Sequence, residues 1–98
     1  MLNSKQRSFL KKKSAELKDT IFIGKEGITA NVIRQLAGEL TAHELIKGKV
    51  QNNAEISVQQ AAHLLAEQTD AEVVFTIGKK FVLYKMNGEK QKMILPEG

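Results

Sequence analysis

Residues Ile21 to Thr29 constrain the fold more than any other stretch of this 98-residue chain. An apolar triplet, Ile21-Phe22-Ile23, stops at Gly24. Lys25 and Glu26 separate it from a second glycine, Gly27, and Ile28-Thr29 then leads into Val32, Ile33, Leu36, Ala37 and Leu40 at helical spacing. Threonine is a good helix N-cap, so the stretch reads as strand, Gly-x-x-Gly loop, helix. The triplet is apolar throughout, which predicts a strand buried on both faces. Such a junction aims backbone N–H groups outward at the positive end of a helix dipole, where a phosphate can be held.

The rest of the chain alternates in the same way. Ser4 is expected to cap a first helix running to Leu17, with a narrow apolar stripe of Phe9, Leu10 and Leu17. At ~100° per residue, Arg7, Lys11 and Lys18 fall on one side of that stripe with Ser14 between them, and Lys12 and Lys13 flank it elsewhere. The second helix is expected from Asn31 to Ala42. Gly38 inside it costs ~1 kcal/mol against alanine and reads as a close approach to the sheet. His43 to Val50 is a half-exposed strand, since Ile46 and Val50 alternate with Lys47 and Lys49. Asn52-Asn53 turns the chain. Ser57 caps a third helix to Gln68 that buries Val58, Ala61, Ala62 and Leu65. Val73–Ile77 and Phe81–Lys85 form an antiparallel hairpin through Gly78-Lys79-Lys80. The order α-β-α-β-α-β-β contains two strand–helix–strand crossovers. It predicts an α/β domain of two layers, three helices against a four-stranded mixed sheet. Residues 1–86 make that domain. Residues 87–98 make a polar tail with a small apolar island, Met93-Ile94-Leu95.

Composition removes several classes of function. A hydrophobic fraction of 42% supports a core, and no apolar run approaches the ~18 residues of a membrane span. The basic N-terminus has no apolar stretch behind it, so no secretory signal and no membrane partner are expected. Cysteine is absent, which excludes disulfides and thiolate metal sites and suits a reducing, cytoplasmic location. The net charge of +4 is unevenly spread. Residues 1–20 hold six basic and two acidic side chains, whereas residues 54–77 hold four acids and no lysine or arginine. One basic face and one acidic face are expected, the first attracting a polyanion and the second repelling it.

Catalysis finds no support. There is no Walker loop, and Gly24-x-x-Gly27 lacks the remainder of a dinucleotide fingerprint. His43 and His63 lie on different elements and fit no metal-ligand spacing. Tyr84 could stack on a base, but within Phe81–Tyr84 it reads first as packing. No cofactor and no metal are expected. The Gly-x-x-Gly pattern by itself also fits a tight turn that needs glycine for conformation only. Its position after a strand, before a capped helix and downstream of a basic helix favours nucleotide-backbone capture, as in single-stranded RNA modules.

Three blocks in order resemble the CRM domain family (chloroplast RNA splicing and ribosome maturation). They are Ile23-Gly24-Lys25-Glu26-Gly27-Ile28-Thr29, His43-Glu44-Leu45-Ile46-Lys47, and Ile77-Gly78-Lys79-Lys80-Phe81-Val82-Leu83-Tyr84-Lys85. The likeness covers roughly residues 2–86 and is nearest to the small stand-alone bacterial members. It implies a fold similar to the C-terminal domain of translation initiation factor three. It also implies RNA binding and association with precursors of the large ribosomal subunit. The chain departs from the family pattern in having Leu17-Lys18-Asp19 where members often have Leu-Lys-Pro, and Lys85 where many have arginine. Residues and resemblance together predict a monomeric, non-enzymatic protein that binds ribosomal RNA or a pre-ribosomal particle. Gly24, Lys25, Glu26, Gly27 and Thr29 would hold phosphates. Arg7, Lys11, Lys12 and Lys18 on helix one, and Lys47 and Lys49, would extend the contact. The alternative is an assembly or translation factor that binds ribosomal proteins and does not recognise RNA directly.

Overall fold

The computed structural model describes residues 2–86; the expected tail and its apolar island lie outside the described residues. The elements run α1 (Ser4–Ser14), β1 (Ile21–Ile23), α2 (Ala30–His43), β2 (Leu45–Val50), α3 (Val58–Thr69), β3 (Glu72–Ile77) and β4 (Lys80–Tyr84). The strands form one mixed sheet in the order β1-β2-β4-β3. β1 runs parallel to β2, and β4 runs antiparallel to both β2 and β3, so β2 and β3 are parallel to each other.

Local chemistry sets the element ends. Thr29 and Ser57 cap α2 and α3 as expected, each accepting a hydrogen bond from the backbone N–H three residues on. The cap of α1 is Asn3, not Ser4. Asn3 accepts from the Gln6 N–H at 2.8 Å while the Gln6 side chain accepts from the Asn3 N–H at 3.2 Å, a reciprocal box that satisfies two end donors. α1 stops at Ser14, earlier than Leu17, and tight turns from Lys12, Lys13 and Ser14 carry the chain to Leu17. His43 belongs to α2, not to β2. The buried Glu44 breaks the helix with a φ of 64°.

The three helices do not share one layer. Both crossovers, β1–α2–β2 and β2–α3–β3, step across the sheet in the same direction. Connections of one hand therefore place α2 and α3 on the same face. They bury Ile21, Ile23, Ile46, Val50, Phe81 and Leu83 there with Leu36, Leu40, Ala61 and Leu65. α1 precedes β1 and is part of no crossover, so this rule leaves it free. It packs on the opposite face, where Leu10 joins Leu45, Val74, Val82 and Tyr84. The expected two-layer packing is thus replaced by a sheet with a partial third layer.

Two glycines play opposite parts. A Cβ on Gly48 would stand 2.3 Å from Phe81 Cζ and 2.9 Å from the Ile21 carbonyl, so only glycine lets the buried Phe81 ring lie across β2. A Cβ on Gly38 would meet nothing within 4 Å, so the close approach expected there does not occur. The apolar triplet also departs from expectation. Ile21 and Ile23 are buried, but β1 is an edge strand whose other face α1 does not reach, and Phe22 is 48% exposed.

Candidate nucleic-acid interface

Gly24 to Gly27 form a closed turn in which the Gly27 N–H donates to the Gly24 carbonyl at 3.0 Å. Gly27 has a φ of 71°, and a Cβ there would point into open space. Glycine therefore serves conformation at this corner and also leaves it bare. Gly24 lies against the following loop, with Gln51 Oε1 2.8 Å from the position of its missing Cβ. Lys25 and Glu26 occupy the exposed tip. The Thr29 hydroxyl accepts from the Val32 N–H at 3.2 Å, which leaves its own proton able to donate. The Ala30 and Asn31 amides, at the start of α2, have no preceding helical carbonyl to bond. Backbone donors, one hydroxyl and one ammonium thus converge at this corner, a set suited to phosphate oxygens.

Strand direction brings other loops to the same end of the sheet. The Gln51 N–H donates to the Ile23 carbonyl, and the Val50 N–H donates to the Lys79 carbonyl, both at 2.8 Å. The Gly-x-x-Gly turn, the β2–α3 turn and the β3–β4 turn are therefore neighbours. Lys25, Lys49 and Lys79 are exposed at this end. Lys49 pairs in register with Phe22 on one side and Lys80 on the other, and Lys80 pairs with Ile77. Lys79 and Lys80 were not among the residues expected from sequence. The only signal for them is the pairing order, which turns the hairpin back toward the glycine loop.

The helix-one cations divide. Arg7 is tied to the sheet: its Nη1 donates to the carbonyls of Val73 at 2.6 Å and Val74 at 2.8 Å. Those carbonyls belong to a bulge in β3, where the register skips Val74 between Val73↔Leu83 and Phe75↔Val82. A bulge turns backbone acceptors away from the ladder, and the arginine satisfies them. Lys11 lies 5.1 Å from the centroid of the Phe75 ring, and Lys12 is exposed on the outer surface of α1. Lys18 and Lys47 line a groove of ≈ 290 Å³ with Leu17, Thr20, Glu39 and His43. On the opposite face, α3 shows Gln59, Gln60, His63, Glu67 and Gln68 and carries no lysine or arginine. Tyr84 is buried in the α1-side core, which settles it as packing. Burial, then the Glu44 and Glu72 carboxylates, push its phenol above the ordinary range.

A family model described as the CRS1/YhbY (CRM) domain matches residues 2–85. The chain belongs to the CRM domain family. Its relatives include the protein named probable RNA-binding protein YqeI of Bacillus subtilis, 38% identical over 98% of this chain and 100% of that one. An RNA-binding protein of Haemophilus influenzae is 35% identical over 97% of this chain and 95% of its own length. The solution structure of the hypothetical protein SAV1595 from Staphylococcus aureus aligns with a TM-score of 0.81 at 34% identity, covering 98% of this chain and 100% of that one. The relatives' names describe RNA-binding proteins and no enzyme. Asp19 stands at the helix-one exit. That carboxylate is largely buried and lies 3.3 Å from Lys80 Nζ.

Proposed function

We propose that this CRM domain binds RNA, and that in the cytoplasm it binds ribosomal RNA during assembly of the large subunit. The observation that supports this reading is the convergence at one end of the sheet. The Gly24–Gly27 turn, the first amides of α2 and Lys25, Lys49 and Lys79 lie together there, while the cation-free α3 packs on the other face from α1. The turn and the helix start receive phosphate, and Lys47, Lys18, Lys11 and Lys12 extend the contact toward α1. Phosphate contacts fix position without reading bases, so sequence preference is modest.

Binding of a fluorescent single-stranded oligoribonucleotide across a salt series tests the reading. Four to six phosphate contacts give a log–log slope of about −3 to −4 on single strands. A flat response would remove the electrostatic account. Gly27→Asp places a carboxylate in the open space at the turn, in a backbone region that aspartate tolerates better than most side chains. It should abolish binding with the circular dichroism spectrum unchanged. Full affinity in the folded variant would exclude the turn. Crosslinking in cells, with the bound RNA mapped, decides whether that RNA is ribosomal.

A further inference from the structure

We propose that the open end of the α1-side sheet face is a stacking platform for unpaired bases, with Phe22 receiving a base and Lys49 the neighbouring phosphate. This deepens the RNA-binding reading and rests on it. The register sets Phe22, Lys49, Lys80 and Ile77 in one row across all four strands, a span of about 14 Å at ~4.8 Å per strand. Their chain neighbours Ile21, Ile23 and Phe81 point into the α2–α3 core, so alternation turns the row to the other face. α1 covers Leu45, Val74, Val82 and Tyr84 on that face and stops short of the row. Phe22 is left 48% exposed and Ile77 62% exposed.

The mixture of side chains favours nucleic acid over protein as the occupant. The centres of protein interfaces are depleted in lysine, whereas single-strand platforms set aromatic rings among cations. Here the two central positions are both lysine. Asp19 holds the ammonium of Lys80 at 3.3 Å, so that its stem lies along the sheet, while Lys49 is exposed and makes no hydrogen bond or ion pair among the described residues. Phe22 precedes Gly24 by two residues, about 7 Å along a strand. A nucleotide chain whose phosphate sits on the turn therefore passes over the ring.

The chain contains no tryptophan, so Phe22→Trp places a single fluorophore at the platform and keeps a stacking ring. Oligouridylate should bind this variant as it binds the wild type and quench its emission. An abasic oligonucleotide of equal charge should bind more weakly without quenching. Phe22→Leu keeps an apolar side chain without a ring face. It should bind oligouridylate about tenfold more weakly, with the salt slope unchanged, and should match the wild type on the abasic strand. Lys49→Ala should instead lower the slope by about 0.7. Wild-type binding of RNA with Phe22→Leu equally tight, or quenching as strong by the abasic strand, overturns the platform and leaves the RNA reading standing. A wild type that binds no RNA overturns both.

Discussion

Alanine at Gly48 and alanine at Gly38 are the same chemical change with opposite expected signs. At Gly48 the new methyl would sit 2.3 Å from Phe81 Cζ, 2.6 Å from Cε2 and 2.9 Å from the Ile21 carbonyl oxygen. Comfortable carbon–carbon contact is ~3.5–4.0 Å, so ring or strand must move by about an ångström. The Phe81 ring is fully buried and β1 is tied to β2 through Gly48 itself, so neither moves freely. Overpacking of this kind costs about 1–3 kcal/mol. Reduced freedom of the unfolded chain returns ~0.4–1 kcal/mol. The net loss is about 1–2 kcal/mol, a fall in Tm of roughly 4–16 °C for a domain of this size. At Gly38 nothing lies within 4 Å of the new methyl, and helix propensity gives a gain of ~1 kcal/mol, a rise of about 4–8 °C. The unfolded-chain contribution is shared, so the difference between the two variants reports the native state. Calorimetry with urea unfolding measures it. Gly48→Ala as stable as the wild type would refute the account of how Phe81 packs over β2, and Gly38→Ala less stable would refute the open space at Gly38.

Arg7→Ala should lose about 1.5–3 kcal/mol, the range for hydrogen bonds from a charged donor, while leaving the salt slope of RNA binding unchanged; Arg7→Lys should restore little of it, because a point charge does not reproduce the guanidinium fork. Full stability with a shallower slope would return Arg7 to the RNA contact. Tyr84 Oη is buried without a hydrogen-bond partner among the described residues, and its phenol is raised by burial, then by Glu44 and Glu72. The unfolded tyrosine loses its proton near pH ~10 while the folded one keeps it, so stability falls as pH climbs from there through the folded value. Tyr84→Phe should be at least as stable as the wild type at neutral pH and lose less at high pH. The chain has one tyrosine, so ultraviolet titration of the folded protein reads this group directly, and an ordinary phenol midpoint would contradict the burial argument.

How much of this was legible in the sequence depended on the range of the interaction. Caps at Thr29 and Ser57 were readable because a cap needs only its own first turn. So was the mixed sheet, because its element order allows few alternatives. The face taken by α1 was not, since handedness rules bind connections between parallel strands and α1 makes none. Arg7 looked like part of a basic stripe because a helical wheel knows nothing of carbonyls 66 and 67 residues away. Phe22 looked buried because an apolar triplet does not disclose that its strand is at an edge. Lys79 and Lys80 joined the candidate interface only through strand pairing. Glu44, at the seam of helix and strand, takes a backbone conformation that a non-glycine residue seldom signals in advance.

The shortness of β1 has a consequence for strand pairing with other molecules. A greasy ring on a sheet border ordinarily invites a foreign strand to dock and aggregates to grow. This border is three residues long, too short to template a lasting ladder with another molecule. A second chain adding at this edge could pair over three residues only, so the exposed ring stands on a poor template for edge-to-edge growth.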